Sequence, residues 1–126
     1  MILKHLALVC SSEFGSDRFY GDLLGLQKLN SKTLSAALSK QIFKVESEYK
    51  LINYAAAGIH FEIFVGPAPH AGVNKIDHVC MEIEDMDSFL EKCRSMGIAI
   101  TQIPKGDSTI TFISDDDGNL FEIKGQ

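Results

Sequence analysis

The sequence predicts an α+β fold made of two similar halves, and three observations predict it. An alternating strand, a short helix and a glycine occur in that order twice; the tripeptide Phe-Glu-Ile recurs at 61–63 and 121–123; and a Pro/Gly-rich passage, GPAPHAG (66–72), falls between the copies. The spacing agrees, with 20 positions from His5 to Gly25 and 19 from His78 to Gly97. Each half begins on a histidine, His5 or His78, and ends on a glutamate, Glu62 or Glu122.

Taken in order, KHLALV (4–9) alternates and stops at the polar cluster SSEFGS, as a strand would. Ser16 is placed to cap a helix with Asp17 in its first turn, Phe19, Tyr20, Leu23 and Leu24 at helical spacing, and Gly25 as the stop. TLSAALSKQIF (33–43), with Leu34, Leu38 and Ile42 at i, i+4 and i+8, predicts a helical insertion within the 30–48 region. EYKLINYA (48–55) and GIHFEIFV (58–65) form a hairpin pattern. The second half is tidier. KIDHVCMEIE (75–84) alternates; Asp85 caps a helix with Met86, Phe89, Leu90, Cys93 and Met96 on one face; and Gly97 closes it. IAITQIP, DSTITFIS and LFEIK follow as strands, the last two joined by the turn DDDGN. Phe19, Tyr20 and Phe89 occupy helical core positions and are expected to pack.

At 126 residues and 45% hydrophobic composition, the chain is expected to be one domain, 1–126, with module one at about 1–66, a linker at 67–74 and module two at about 75–126. No apolar run reaches the ~20 residues that span a bilayer, and MILKHLALVC runs into SSEFGSDR rather than a small-residue cleavage site. The expectation is a soluble cytoplasmic protein with no membrane partner. Cys10, Cys80 and Cys93 make no C-x-x-C pair and leave an odd count, which reads as three reduced thiols. The net charge of -5 is dispersed, and no Lys/Arg stripe interleaves with aromatics, so nucleic acid is not expected as a partner.

Strand alternation turns Glu62 away from Phe61 and Ile63, and Glu122 away from Phe121 and Ile123. His5 and His78 likewise lie opposite their apolar neighbours. If the two modules pair about a pseudo-twofold, these four positions converge, and two imidazoles with two carboxylates suit a divalent ion such as Zn, Ni, Co, Mn or Fe. Taken singly, each has a plainer reading: a glutamate on the solvated face of a strand, or a surface histidine. Recurrence at equivalent places in a repeat favours the metal. His60 is in phase with Glu62, and Cys80 and Glu82 with His78, which makes all three substrate-pocket candidates. Cys80 also suits a small core filler, the reading that its residue type favours, and Glu82 an exposed strand acid. His70, in the linker, is expected to be exposed.

HLALVC with SDRFYGDLLGL, IHFEIF, IDHVCMEIEDMDSFLEKCRSMGI and FISDDDGNLFEI together resemble the vicinal oxygen chelate superfamily, which includes glyoxalase I, methylmalonyl-CoA epimerase, extradiol dioxygenases and bleomycin-resistance proteins. The resemblance covers nearly the whole chain, with Asp116 standing where the family commonly has proline in D-P-D-G. It implies two βαβββ modules forming a curled mixed sheet around a metal cleft, with His5, Glu62, His78 and Glu122 as ligands. The His, Glu, His, Glu order is most similar to glyoxalase I (lactoylglutathione lyase). By that resemblance the protein is expected to be a metal-dependent lyase or isomerase acting on a small-molecule substrate. It would move a proton next to a carbonyl through a metal-stabilised enediolate, with Glu122 as the base and Glu62 its counterpart on the other substrate face.

Two alternatives stand beside this one. An iron-dependent extradiol-type dioxygenase uses two histidines and one carboxylate, and Glu62 fills a place that such an enzyme leaves open. A non-catalytic drug-binding protein of the bleomycin-resistance type suits the acidic charge, but not four intact ligands and the absence of Trp. Glutathione recognition would call on Arg or Lys, and the only arginines are Arg18 and Arg94, both in predicted helices. A chain of this size can close its cleft alone or exchange modules with a second copy, and a homodimer is expected.

Overall fold

The computed structural model describes residues 1–69 and 72–126, so the expected exposure of His70 lies outside the described residues. The chain divides into two compact units, Met1–Gly72 and Val73–Gln126. Each unit is a βαβββ module with its own four-stranded mixed sheet, and the first carries an additional helix.

In the first unit, β1 (Leu6–Cys10), β2 (Gln27–Leu34), β3 (Tyr49–Ala56) and β4 (Ile59–Val65) are ordered β1-β4-β3-β2. β1 runs parallel to β4, and the other neighbours are antiparallel. Between β1 and β2 lie α1 (Glu13–Ser16) and a π-helical stretch, Asp17–Leu23, in which Leu24 N–H donates to Phe19 O. The cap differs from expectation. Ser12, not Ser16, caps this helix by accepting from Gly15 N–H at 3.0 Å, while Ser16 is buried and its hydroxyl donates to Ser12 O. Both serines precede acidic residues; Ser12 wins because it has the extended backbone that an N-cap needs. Gly25 ends the segment at φ 73°, the left-handed conformation that glycine adopts without steric cost.

The helical insertion is shorter than predicted. α2 spans Ala36–Phe43, and Thr33 and Leu34 belong to β2, a strand that the pattern of 27–34 did not announce. Most of β2 is exposed, so it lacks the apolar alternation that marks a strand; its pairing with β3 and not its own burial holds it. The apolar stripe on α2 is also turned outward: Leu38 and Ile42 are exposed, and Ser39 is the buried residue.

The core lies between the π-helical stretch and one face of the sheet. Tyr20 packs on Tyr54 and Phe61, with ring centroids 5.7 and 5.4 Å apart, and Ile52 and Ile63 fill the same layer. Burying each such side chain contributes about 1.5–3 kcal/mol. An ion-pair network flanks this core, joining Asp17 and Glu13 to Lys28, and Glu13 to Lys50.

The second unit repeats the plan without the insertion. β5 (His78–Ile83), α3 (Met86–Ser95), β6 (Ala99–Lys105), β7 (Ser108–Ser114) and β8 (Leu120–Gly125) form the sheet β5-β8-β7-β6, again with the first and last strands parallel. Asp85 caps α3 as predicted, accepting from Ser88 N–H at 3.0 Å, and Gly97 ends the helix at φ 68°. Leu90 and Cys93 of α3, with Ile113, Phe121 and Ile123, form the buried layer, and Phe89 is half-buried. Asp115 organises the turn into β8 by accepting from the N–H groups of Asp117 and Asn119. Among the described residues, no helix is long and apolar enough to cross a membrane.

Candidate functional site

The two sheets place equivalent residues by the same register. In the first unit Glu62 of β4 lies opposite Ala7 of β1 and Asn53 of β3; in the second, Glu122 of β8 lies opposite Cys80 of β5 and Phe112 of β7. His5 is two residues before Ala7 and His78 two before Cys80, so each histidine shares a sheet face with its glutamate. The backs of both strands are occupied by the core residues Phe61, Ile63, Phe121 and Ile123. This leaves the glutamates on the opposite face, still partly accessible.

The structure thus brings together His5 with Glu62 and His78 with Glu122. His5 Nε2 is 3.2 Å from Glu62 Oε2, and His78 Nε2 is 3.6 Å from Glu122 Oε2. His5 stands one residue ahead of β1 rather than within it. His78 is further oriented by its other ring nitrogen, because Nδ1 lies 2.7 Å from Ile76 O. A carbonyl oxygen only accepts, so Nδ1 carries a proton and Nε2 is the ring nitrogen turned toward the carboxylate.

An imidazole nitrogen and a carboxylate oxygen at this distance need either a shared proton or a bridging cation between them. A divalent ion fits that need: nitrogen and oxygen ligands at about 2.0–2.2 Å from one ion stand roughly 3 Å from each other. A metal-bound histidine commonly donates its other N–H to a carbonyl, as His78 does. The donor set therefore suits a divalent metal. Lys124 Nζ is 3.7 Å from Glu122 Oε1, a cation that the Glu62 pair does not have among the described contacts.

The pocket candidates have different surroundings. His60 Nε2 is 2.7 Å from Asn53 Oδ1, Asn53 Nδ2 donates to Asn30 Oδ1 at 2.9 Å, and the His60 ring meets the His5 ring edge-on at 5.9 Å. Cys80 is exposed, which corrects the core-filler reading: its strand turns 78, 80 and 82 to one face, and the core takes the other. Glu82 is exposed on the same face. Cys10 and Cys93 are buried free thiols, and burial pushes the Cys93 thiol up. Asn53 and Phe112, which touch site residues, and Asn30, which accepts from Asn53, were not anticipated. Asn53 and Phe112 are the cross-strand partners of the two glutamates, a pairing that only the register reveals.

On the helix side of the first sheet, the buried Tyr54 hydroxyl donates to Asp17 Oδ1 at 2.7 Å. Burial, reinforced by the Asp17 carboxylate, pushes the Tyr54 phenol well above its ordinary value. For Asp17, burial acts upward, but the Tyr54 hydrogen bond and Lys28 outweigh it and hold the carboxyl below the usual aspartate value. Glu13 is likewise lowered, chiefly by its hydrogen bond from Lys50, and Lys28 is raised, chiefly by its bond to Asp17.

Comparison with known proteins gives a concordant picture. The family model described as the Glyoxalase/Bleomycin resistance protein/Dioxygenase superfamily matches residues 2–123. No curated protein matches the chain. Among solved structures, the fosfomycin resistance protein FosX from Listeria monocytogenes is similar with a TM-score of 0.74 and 18% identity over 97% of this chain and 91% of that one. A glyoxalase family protein from Enterococcus faecalis gives 0.71 and 19% over 96% and 94%. FosX from Mesorhizobium loti gives 0.71 and 15% over 97% and 89%. A mutant of the Listeria protein was crystallised with Mn(II) and 1S,2S-dihydroxypropylphosphonic acid. At these identities the likeness establishes the fold.

Proposed function

The chain belongs to the Glyoxalase/Bleomycin resistance protein/Dioxygenase superfamily, and from that premise we propose that it is a divalent-metal-dependent lyase or isomerase that moves a proton next to a carbonyl, in the manner of lactoylglutathione lyase. The observation that carries this reading is the repeated His–Glu pair, His5 with Glu62 and His78 with Glu122, at identical register in two sheets. Together these residues would supply four ligands to one ion, in a single chain or between two copies in a homodimer. The metal would supply Lewis acidity toward a carbonyl oxygen of a small-molecule substrate. The protein's own part is to orient and to carry protons. His78, fixed through Ile76, offers Nε2 in one tautomer. Glu122 would take the substrate proton on its carboxylate and return it to the neighbouring carbon, with Glu62 as its counterpart on the other substrate face. Retention of both glutamates favours proton transfer over dioxygenase chemistry, because it leaves fewer positions open for oxygen. With its thiols reduced, the protein would work in the cytoplasm.

Calorimetric titration of the metal-free protein with Ni(II), Zn(II), Co(II), Mn(II) and Fe(II) tests the centre, with about one ion per chain expected. No binding by any of them overturns the reading. Turnover of hemithioacetals in preference to 2-oxoacyl-CoA epimers, catechols and fosfomycin supports the lyase assignment. Tight metal binding with oxygen-dependent catechol cleavage would replace it by the dioxygenase, and ligand binding without turnover of any by a drug-binding role. Light scattering reads the expected dimer.

A further inference from the structure

The first unit carries an element that the βαβββ plan does not require. α2 is inserted between β2 and β3, and the second unit completes the same plan without it. Its inward face consists of Ala36, Ser39 and Phe43, at i, i+3 and i+7, and the Phe43 ring meets the Phe64 ring edge-on at 5.5 Å. The larger aliphatic residues, Leu38 and Ile42, are turned outward and are about half exposed. A surface helix is ordinarily held by its apolar stripe. With that stripe facing out, α2 is lightly held and is the part of this unit that can lift from the sheet.

Phe64 places this helix beside the site. It lies two residues after Glu62 on β4 and therefore on the same sheet face, with Leu51 of β3 and Val9 of β1 as its cross-strand neighbours. The buried Tyr49, two before Leu51, also meets the Phe64 ring, at 6.1 Å. Along β4 the His5–Glu62 pair is thus followed by an apolar step, and Phe43 closes over it.

Ser39 is the anomalous member of the inward face. It is fully buried, and among the described residues its hydroxyl has no hydrogen-bond partner. Ser16, buried in the preceding helical segment, satisfies its own hydroxyl on the carbonyl four residues back, an option that Ser39 does not take. A buried hydroxyl without a partner forfeits the hydrogen bonds it makes to water. A ligand atom held under α2 would restore one.

We propose that α2 is the substrate-recognition element of this chain. It lifts to admit a side group of the substrate, Phe64 and Phe43 take the apolar part of that group, and Ser39 Oγ hydrogen-bonds to a hydroxyl on it. The substrate class is thereby a small molecule bearing a hydroxylated aromatic or branched aliphatic group, bound on the first sheet beside Glu62. The pocket lies wholly within the first unit, and no residue of α2 ligates the metal. Only the identification of the ligand as a substrate rests on the proposed metal-dependent function.

Benzyl alcohol, a ring bearing one hydroxyl, is the probe, with toluene lacking the hydroxyl and n-propanol lacking the ring. Each is titrated into the full chain without metal and followed by two-dimensional NMR. Benzyl alcohol should shift the amide signals of Ser39, Phe43 and Phe64 saturably and bind more tightly than either comparator. Ser39→Ala should lower benzyl alcohol affinity about fivefold, leave toluene affinity in place, and hold Tm at or above the wild-type value. Phe64→Ala and Phe43→Ala should each lower the affinity for both ring compounds about fivefold.

Absence of saturable shifts at these residues overturns the proposal, as does a Ser39→Ala variant that binds benzyl alcohol like the wild type. A fall in Tm for Ser39→Ala also overturns it, because the hydroxyl would then have a partner in the folded chain already. If Phe43 and Phe64 serve only to pack α2, their variants lower Tm and spare the ring compounds. A separate titration with Ni(II) keeps the two readings apart. Ni(II) binding without fragment binding removes this pocket and leaves the metal centre, and fragment binding without Ni(II) binding does the reverse.

Discussion

Replacing Tyr54 by Phe removes one oxygen from a fully buried ring and nothing else. That oxygen donates at 2.7 Å to an Asp17 carboxylate that also meets Lys28 Nζ at 3.0 Å. A hydrogen bond to a charged partner contributes about 1.5–3 kcal/mol. The Asp17 side chain is 45% exposed and regains some water when the hydroxyl is lost, so the lower part of that range applies. A loss of about 1.5 kcal/mol corresponds to roughly 5 °C in Tm for a chain of this length.

The pH dependence gives the assignment a second test. Asp17 is held below its ordinary value, so its ionised form stabilises the fold at pH values above about 3.9, and this contribution disappears as pH falls through the lower folded value. Denaturant titrations of wild type and Tyr54→Phe at pH 7 should differ by the full amount and converge toward pH 2. At the alkaline end the raised Tyr54 phenol works the other way. Above about pH 10 the unfolded tyrosine ionises and the folded one does not, so the wild type loses stability there faster than the variant. A variant within 0.3 kcal/mol (roughly the additivity error) of wild type at pH 7, or a gap that persists at pH 2, would refute the role given to this bond. Asn53, the preceding residue, faces the other side of the sheet, so metal binding should survive the substitution.

Three further outcomes are expected. Ni(II) at a hundredfold excess over its Kd should stabilise the wild type by about 2.7 kcal/mol; in His78→Ala a tenfold or greater loss of affinity would remove about 1.4 kcal/mol of this, read by denaturant titration with and without the ion. Glu122→Gln should abolish hemithioacetal turnover while calorimetry still finds Ni(II) bound, and retained turnover would remove Glu122 as the base. Gly66→Ala should cost about 2 kcal/mol, because its Cβ would lie 2.7 Å from Cδ1 of the buried Tyr49, whose hydroxyl is held by Pro67 O; thermal melting measures it.

The two modules were legible because their signals are local. His5, Glu62, His78 and Glu122 stand out as polar residues in apolar alternation, and the helices are punctuated locally, by the Asp85 side-chain cap and by the left-handed backbone of Gly25 and Gly97. Where a cap competes with a neighbour, local pattern is less decisive, and Ser12 displaced Ser16. β2 was missed for a different reason. Gln27–Leu34 has almost no buried residue, so nothing in its composition distinguishes it from a loop until Tyr49–Ala56 pairs with it. Cys80 was misjudged because a cysteine's type favours burial, whereas the face of its strand, shared with His78, decides exposure.

The sequence by itself determined the repeated plan, the faces of β4 and β8, and which histidine and glutamate open and close each half. These follow from periodicity along the chain, which needs no partner to be read. Tertiary structure decided the cross-strand neighbours: Asn53 against Glu62, Phe112 against Glu122, and the Asn30–Asn53–His60 chain. The residues involved are distant in sequence, and a shift of one position in pairing would send each side chain to the opposite face. Register is set by the collective packing of Tyr54, Phe61, Ile113 and Phe121 behind the sheets, so the residues flanking each His–Glu pair are settled only once the core has formed.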